Sequence, residues 1–326
     1  MILICKSHDE NNESHEDVID WLSYHNAKFD FLSGHDYYEN GNDWSIELSN
    51  SKNESSFFSQ EYQSIWFRGF MRYRSHFKEA INSLDSTNDN IAELRWRLGQ
   101  ETAKTNSQIF KSFEDSYQLP NPKSTKVDKF SILRLAEKIG LQIPISMISN
   151  SRKKLLEFYK KHGDVITKPL YETVYFRDES SAIFFKTDKI TEESIKSLPE
   201  KFFPSFFQRY VEKDIELRSF YLEGKFYTMA IFSQLDPQTK TDFRNYNTEK
   251  PNRNVPYLLP KEIETKLRNL MKELNLNTGS IDLIKTPDKR YVFLEVNPTG
   301  QFGFVSKPCN YYLEDEIAKT LIQHDQ

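Results

Sequence analysis

Apolar positions along the chain switch repeatedly between the period of a strand and the period of a helix. That pattern predicts a mixed α/β (α+β) protein. Residues 2–5 form an apolar run and read as a strand. Val18, Ile19 and Leu22 share one face of a helix over Glu16–Tyr24. Residues 49–56 are polar and read as a loop or turn, and residues 64–67 as a strand. Thr87-Asn88-Asp89 offers caps for a helix ending at Gly99. Leu119-Pro120-Asn121-Pro122 is a proline-punctuated linker. Beyond it, Ile132, Leu135, Ala136 and Ile139 stripe one face of a helix over Lys129–Ile139, stopped by Gly140. A second helix is expected over residues 151–162, then strands over 164–168, 182–186 and 205–211. Residues 216–222 and 226–233 read as a hairpin about Glu223-Gly224-Lys225. A helix over 261–274, strands over 280–285 and Tyr291–Asn297, and a terminal helix over Leu313–Gln323 complete the reading.

These elements fall into three zones. Residues 1–119 read as a small N-terminal α/β domain. Residues 120–203, in the order helix, helix, strand, strand, suit a small α+β lid. Residues 204–326 form a C-terminal lobe of strands and helices. A chain of 326 residues is long enough for two or three such lobes around a sizeable core.

Composition narrows the function. Lys and Arg number 44 against 48 Asp and Glu, so the net charge of -4 gives no basis for nucleic-acid binding. Apolar runs are too short for a membrane span, and the N-terminus lacks the layout of a secretory signal. Only Cys5 and Cys309 occur, which cannot make a disulfide framework or a CxxC zinc site. The expectation is a cytoplasmic protein with two reduced, buried thiols.

The strongest chemical signal lies in the last zone. Glu295 and Asn297, two apart on an apolar strand, project from one face. Asp282 lies on the preceding strand, which a short turn lets pair with the first. Two carboxylates and an amide oxygen suit Mg²⁺, a hard ion that takes few protein ligands and binds substrate phosphates. Lys129, Lys168, Arg218 and Arg244 are cations able to face those phosphates and stabilise phosphoryl transfer. Arg218 lies inside an apolar strand, where a charge needs a partner. No glycine-rich phosphate loop, GxSxG elbow or Cys–His pairing is present.

The order Lys129, Lys168, Arg218, Arg244, Asp282, Glu295, Asn297 resembles the ATP-grasp ligases. Asp128-Lys129 is similar to their first lysine motif and Ile166-Thr167-Lys168-Pro169 to the second, on the lid. Gln208-Arg209-Tyr210-Val211 resembles the hinge that meets adenine through its backbone. Glu216-Leu217-Arg218, Asp242-Phe243-Arg244 and Leu294-Glu295-Val296-Asn297-Pro298 resemble the later elements. Within that superfamily the chain is similar to the graspetide (microviridin-type) peptide maturases, and more narrowly to the grasp-with-spasm group. Ile65-Trp66-Phe67-Arg68, Lys168-Pro169 with Val174-Tyr175-Phe176, and the run from Glu295 to Gly303 with Pro308-Cys309-Asn310-Tyr311 carry that likeness.

The resemblance implies an ATP-grasp fold with a pre-ATP-grasp domain, a lid and a catalytic lobe. It implies ATP and Mg²⁺, with Asp282, Glu295 and Asn297 on the metal and Lys129, Lys168, Gln208, Tyr210 and Val211 on the nucleotide. Asp214 is its candidate ribose contact, and Arg218 and Arg244 act on the phosphoryl group. The implied reaction joins Asp or Glu side chains of a ribosomally made precursor peptide to Ser, Thr or Lys side chains. Arg68, Arg72 and Arg74 are candidates to dock acidic peptide residues, and a homodimer is implied. Two alternatives stay open: a ligase adding amino acids to a protein or peptide, and a non-catalytic peptide-binding module.

Overall fold

The structure is a computed structural model. It describes residues 1–6, 15–33, 45–48, 53–55, 61–68, 89–125, 128–170, 175–177, 182–184, 187–239, 243, 245 and 247–325. The chain divides into two compact units. One comprises residues 1–125, 301–306 and 312–326, and the other residues 126–300 and 307–311.

In the first unit, strands β1 (Ile2–Lys6), β2 (Phe29–Ser33), β5 (Ser64–Arg68) and β6 (Tyr117–Leu119) form a parallel sheet in the order β2-β1-β5-β6. Residues 2–5 are all buried, as a parallel strand covered on both faces requires. Leu3, Cys5, Ile65 and Phe67 pack with Ile109 and Phe113. The helices Glu16–Tyr24 and Leu313–Gln323 lie together, tied by a 2.7 Å contact between His25 Nε2 and Asp315 Oδ1.

Two expectations are corrected here. The helix expected to end at Gly99 runs from Asp89 to Lys111. One interior glycine costs a helix about 1 kcal/mol. Burial of Asn106 and Ile109 further along supplies a reason to continue through it. The polar stretch at 49–56 contains a strand, β4 (Asn53–Ser55), antiparallel to β3 (Ile46–Leu48). The backbone ladder, which polarity does not report, defines that hairpin.

The second unit holds an antiparallel sheet ordered β11-β8-β12-β7, built from β7 (Ser146–Ser151), β8 (Val165–Lys168), β11 (Asp188–Ile190) and β12 (Lys201–Arg209). The helices Arg152–His162 and Glu192–Ser197 cover one face, closing Leu155, Val165, Ile195 and Phe207 into a small core. Strand β12 starts four residues earlier than expected and spans position 204, pairing with β7 and β8. Strands β9 (Tyr175–Arg177) and β10 (Ala182–Phe184) make a separate two-stranded piece.

A five-stranded antiparallel sheet, β15-β14-β13-β16-β17, comprises β13 (Ile215–Leu222), β14 (Lys225–Phe232), β15 (Arg253–Tyr257), β16 (Thr278–Lys285) and β17 (Tyr291–Asn297). Glu223 and Gly224 both take positive φ, 43° and 86°, which the two-residue turn between β13 and β14 needs. The helices Lys129–Ile139 and Lys261–Glu273 bury Ile132, Leu133, Ala136, Leu267, Leu270 and Met271 against Leu217, Ile281, Leu283, Phe293 and Val296. Arg218 and Asp282 alternate with the core residues Leu217, Ile281 and Leu283 and so lie on the opposite face of the sheet. Among the described residues no helix is long and apolar enough to cross a membrane.

Candidate active site

Register brings the expected carboxylates together. Asp282 on β16 stands directly across from Glu295 on β17, and Arg218 on β13 stands directly across from Asp282. One row across the sheet therefore reads cation, carboxylate, carboxylate. The Arg218 guanidinium donates to both Asp282 oxygens at 3.2 and 3.3 Å, which satisfies the need for a partner inside the apolar strand.

A bulge aims this row. Asp282 pairs with Glu295 but Leu283 pairs with Phe293, so Leu294 is an extra residue in β17. Phe293 and Val296, three apart, both enter the core. Leu294 and Glu295, adjacent in sequence, both line the cavity on the other face. Bulges re-aim side chains in this way at the edges of functional sites.

The lysines converge on the same carboxylate. Lys129 starts its helix after Asp128, whose side chain accepts from the backbone N–H of Phe130 and Ser131. Lys168 ends β8. Their ammonium groups lie 3.6 and 3.4 Å from Glu295 Oε2, and Lys129 Nζ also donates to the Pro169 carbonyl. The group thus holds three cations and two carboxylates. Arg218 Nε, buried and without a hydrogen-bond partner, is a further donor in this cluster. Such an excess of donors and positive charge suits a polyanion.

The cavity beside this cluster has apolar walls from Pro144, Ile166, Val211, Leu217 and Leu294, with Gln208, Tyr210, Lys168, Asp282 and Glu295 around them. The expected hinge residues Gln208, Tyr210 and Val211 thus line one cavity with Lys168. Asp214 is not among the lining residues, and its backbone N–H donates to the Lys285 carbonyl. Lys213 and Glu216 line the cavity instead. Both are buried, joined at 2.9 Å, with the Ser233 hydroxyl donating to the same Glu216 oxygen at 2.6 Å. Lys213 carried no signal in the sequence, and Glu216 was named only as the first residue of the element that ends in Arg218, although the argument that flagged Arg218, a charge in an apolar strand, applies equally to Glu216.

Asn297 does not line this cavity. It is exposed, and its Oδ1 accepts from the Thr299 backbone N–H at 3.2 Å and approaches the Thr299 hydroxyl at 3.4 Å. An amide oxygen has a second lone pair, so that engagement leaves it able to meet a cation. Among the described residues no three His, Cys, Asp or Glu side chains converge as a metal cage. Two facing carboxylates fit an ion that completes its shell with phosphate oxygens and water, as Mg²⁺ does.

Arg68 closes β5 in the first unit. It is buried, its guanidinium lies 5.0 Å from the Phe302 ring centroid, and burial lowers its pKa to about 10. Phe302 also meets Trp66, with ring centroids 6.4 Å apart. Arg72, Arg74 and Arg244 lie outside the described residues. Cys5 and Cys309 are free and buried, and burial raises the Cys309 thiol to about 11.

No protein-family model matches the chain, and no curated protein sequence matches it. Solved structures do. A RiPP-associated ATP-grasp ligase from Chryseobacterium gregarium, in complex with ADP and a leader and core peptide, is similar at TM-score 0.80 and 23% identity. The match covers 100% of this chain and 98% of that one. The macrocyclase MdnC of Microcystis aeruginosa MRC, bound with precursor peptide MdnA, is similar at TM-score 0.79 and 24% identity, over 99% and 100% of the two chains. The ATP-grasp ligase PsnB, complexed with a phosphomimetic variant of its minimal precursor, Mg and ADP, matches at TM-score 0.74 and 16% identity, over 100% and 98%. The chain has the ATP-grasp fold of these ligases over its full length.

Proposed function

We propose that this protein is an ATP- and Mg²⁺-dependent ligase that macrocyclises a ribosomally made precursor peptide through its side chains. One observation carries the reading: Asp282 and Glu295 face each other in register, with Lys129, Lys168 and Arg218 against them, at an apolar cavity bounded by Gln208, Tyr210 and Val211. The apolar walls suit a purine and the cations a triphosphate. The substrate class follows the neighbours, whose structures hold ADP, Mg and precursor peptides.

A carboxylate is a poor acyl donor at neutral pH, so it must first gain a leaving group. The side-chain carboxylate of a peptide Asp or Glu takes the γ-phosphoryl group, with ADP leaving. A Ser or Thr hydroxyl, or a Lys amine, then attacks the acyl carbon. Phosphate departs and the nucleophile's proton is lost. Lys129 and Lys168 hold phosphate oxygens near the Glu295 carboxylate. Arg218, anchored on Asp282, presents fixed positive charge where charge develops, without reorganisation during the step. Asp282 and Glu295, with Asn297 beside them, would hold Mg²⁺, which would neutralise phosphate charge. Arg244 is the second arginine of this proposal, and Arg68 with Arg72 and Arg74 its docking site for acidic peptide residues.

Mass spectrometry of a Ser/Thr- and Asp/Glu-containing precursor peptide tests the proposal after incubation with protein, ATP and Mg²⁺. Loss of one water per new bond, with matching ADP release, supports it. A gain of whole amino acids identifies the amino-acid-adding reading instead. Peptide binding without ADP formation identifies the non-catalytic one.

A further inference from the structure

The two carboxylates that suit a metal are already matched by the chain's own cations. Asp282 accepts from the Arg218 guanidinium on both oxygens. Glu295 meets two ammonium groups on a single oxygen, Oε2, with Lys168 Nζ at 3.4 Å and Lys129 Nζ at 3.6 Å. Three positive charges in this cluster thus stand against two negative ones. The five side chains are only 10–23% exposed, so salt and water screen them less than they screen surface pairs. Lys129 Nζ also donates to the carbonyl of Pro169, the residue after Lys168, which keeps both ammonium groups together at the end of β8 beside Glu295.

That balance is the reverse of what a divalent cation needs. Sites for hard cations are built from an excess of negative oxygen donors. A divalent cation arriving here alone meets a net positive cluster, and it must displace two ammonium groups to reach Glu295 Oε2. Nucleotide phosphates change both conditions. Their oxygens give the lysines new charge-assisted partners, and their charge turns the cluster negative beside the two carboxylates.

We infer that Lys129 and Lys168 form a lock on the metal site that nucleotide phosphates open. Without phosphates the two lysines hold Glu295 and keep divalent cations out. When phosphates take the lysines over, Glu295 is released to the metal. The inference rests on the ATP-ligase reading above and goes beyond it. In that reading the lysines bind phosphate. Here they also decide when a metal can enter, so the protein takes up its metal together with a nucleotide and not before it.

The test is binding of Mn²⁺, a paramagnetic stand-in for Mg²⁺, in the absence of nucleotide, read as loss of the free-ion electron paramagnetic resonance signal. The double variant Lys129→Met/Lys168→Met should bind Mn²⁺ at least ~10-fold more tightly than wild type, because two like charges near the ion are gone. Adding Glu295→Gln to the double variant should erase that gain. Lys129→Arg, which keeps the charge, should bind Mn²⁺ as weakly as wild type. An affinity in the double variant no higher than in wild type overturns the inference, as does a gain that survives Glu295→Gln or one that Lys129→Arg reproduces. If the double variant does not fold, Lys129→Met alone carries the test: it should gain affinity over wild type, and no gain overturns the inference. Calorimetry of ADP with a chelator present separates the two levels. Wild type that binds ADP, with Mn²⁺ affinity indifferent to the lysines, removes this inference alone. Wild type that binds no ADP removes the ligase reading with it.

Discussion

Glu295→Gln keeps the shape of the side chain and an oxygen, and removes one negative charge from between two lysines. The gross attraction lost can be worked from the distances. A unit-charge pair at 3.4 Å in an effective dielectric near 20 is worth about 5 kcal/mol, and the pair at 3.6 Å slightly less. Desolvation offsets much of this, and Lys129 reaches water at 23% exposure. The expected net loss without nucleotide is about 1–2 kcal/mol, read as a fall in Tm of about 2–4 °C per kcal/mol. The nucleotide response separates the metal role from this structural one. Wild type should gain more thermal stability from ADP with Mg²⁺ than from ADP alone, because a ligand at free concentration L that binds only the folded state adds stability of RT ln(1 + L/Kd), which grows as Kd falls. In Glu295→Gln that Mg²⁺-dependent increment should be lost. ADP alone should bind at least as well as in wild type, since a negative charge beside the phosphates is gone. A variant with the wild-type Mg²⁺ increment would falsify the assignment of Glu295 to the metal. Peptide-dependent ADP formation should fall with the increment.

Other expectations concern the supports of the site. Asp128→Ala should cost about 1 kcal/mol by removing the N-cap of the helix that begins with Lys129, measured by chemical denaturation. Hydrogen bonding from Ser131 holds the Asp128 carboxyl below its usual value, so the cap's contribution is present above about pH 4 and fades as pH falls through the lowered folded value. The stability gap between wild type and this variant should therefore close in acid, and a gap unchanged down to pH 2 would contradict the cap. Gly300→Ala places a methyl group against Ser280 Cβ, Oγ and backbone N, closer than van der Waals contact allows. It should destabilise the protein by about 1–3 kcal/mol and lower Mg²⁺-linked nucleotide affinity, because the corner after Asn297 must move. Cys5 and Cys309 should resist alkylation at neutral pH until the protein is unfolded, since burial raises both thiols. Rapid labelling of the native protein by a maleimide would refute that.

The sequence by itself determined most of the elements and the chemical types at the site. Glu16–Tyr24, Lys129–Ile139, Tyr291–Asn297 and Leu313–Gln323 follow from local periodicity, caps and turns, which act over a few residues and are legible in a few residues. Oxygen donors at 282 and 295 could be named from their places on two adjacent apolar strands, Lys129 and Lys168 from a helix start and a strand end, and Arg218 because a charge inside an apolar strand needs a partner. What local pattern does not contain is the register between strands and the partners of buried groups. Strict alternation along β17 puts Phe293, Glu295 and Asn297 on one face, yet Phe293 lies in the core while Glu295 lines the cavity. The bulge at Leu294 makes that difference, and it exists only in the pairing with β16. The same holds for Glu216, buried between Lys213 and Ser233, and for Gln208, whose amide is oriented by a serine 62 residues away in sequence. The sequence decided which groups are available. Tertiary structure decided which way they point, because burial and hydrogen bonding are settled between segments that lie far apart along the chain.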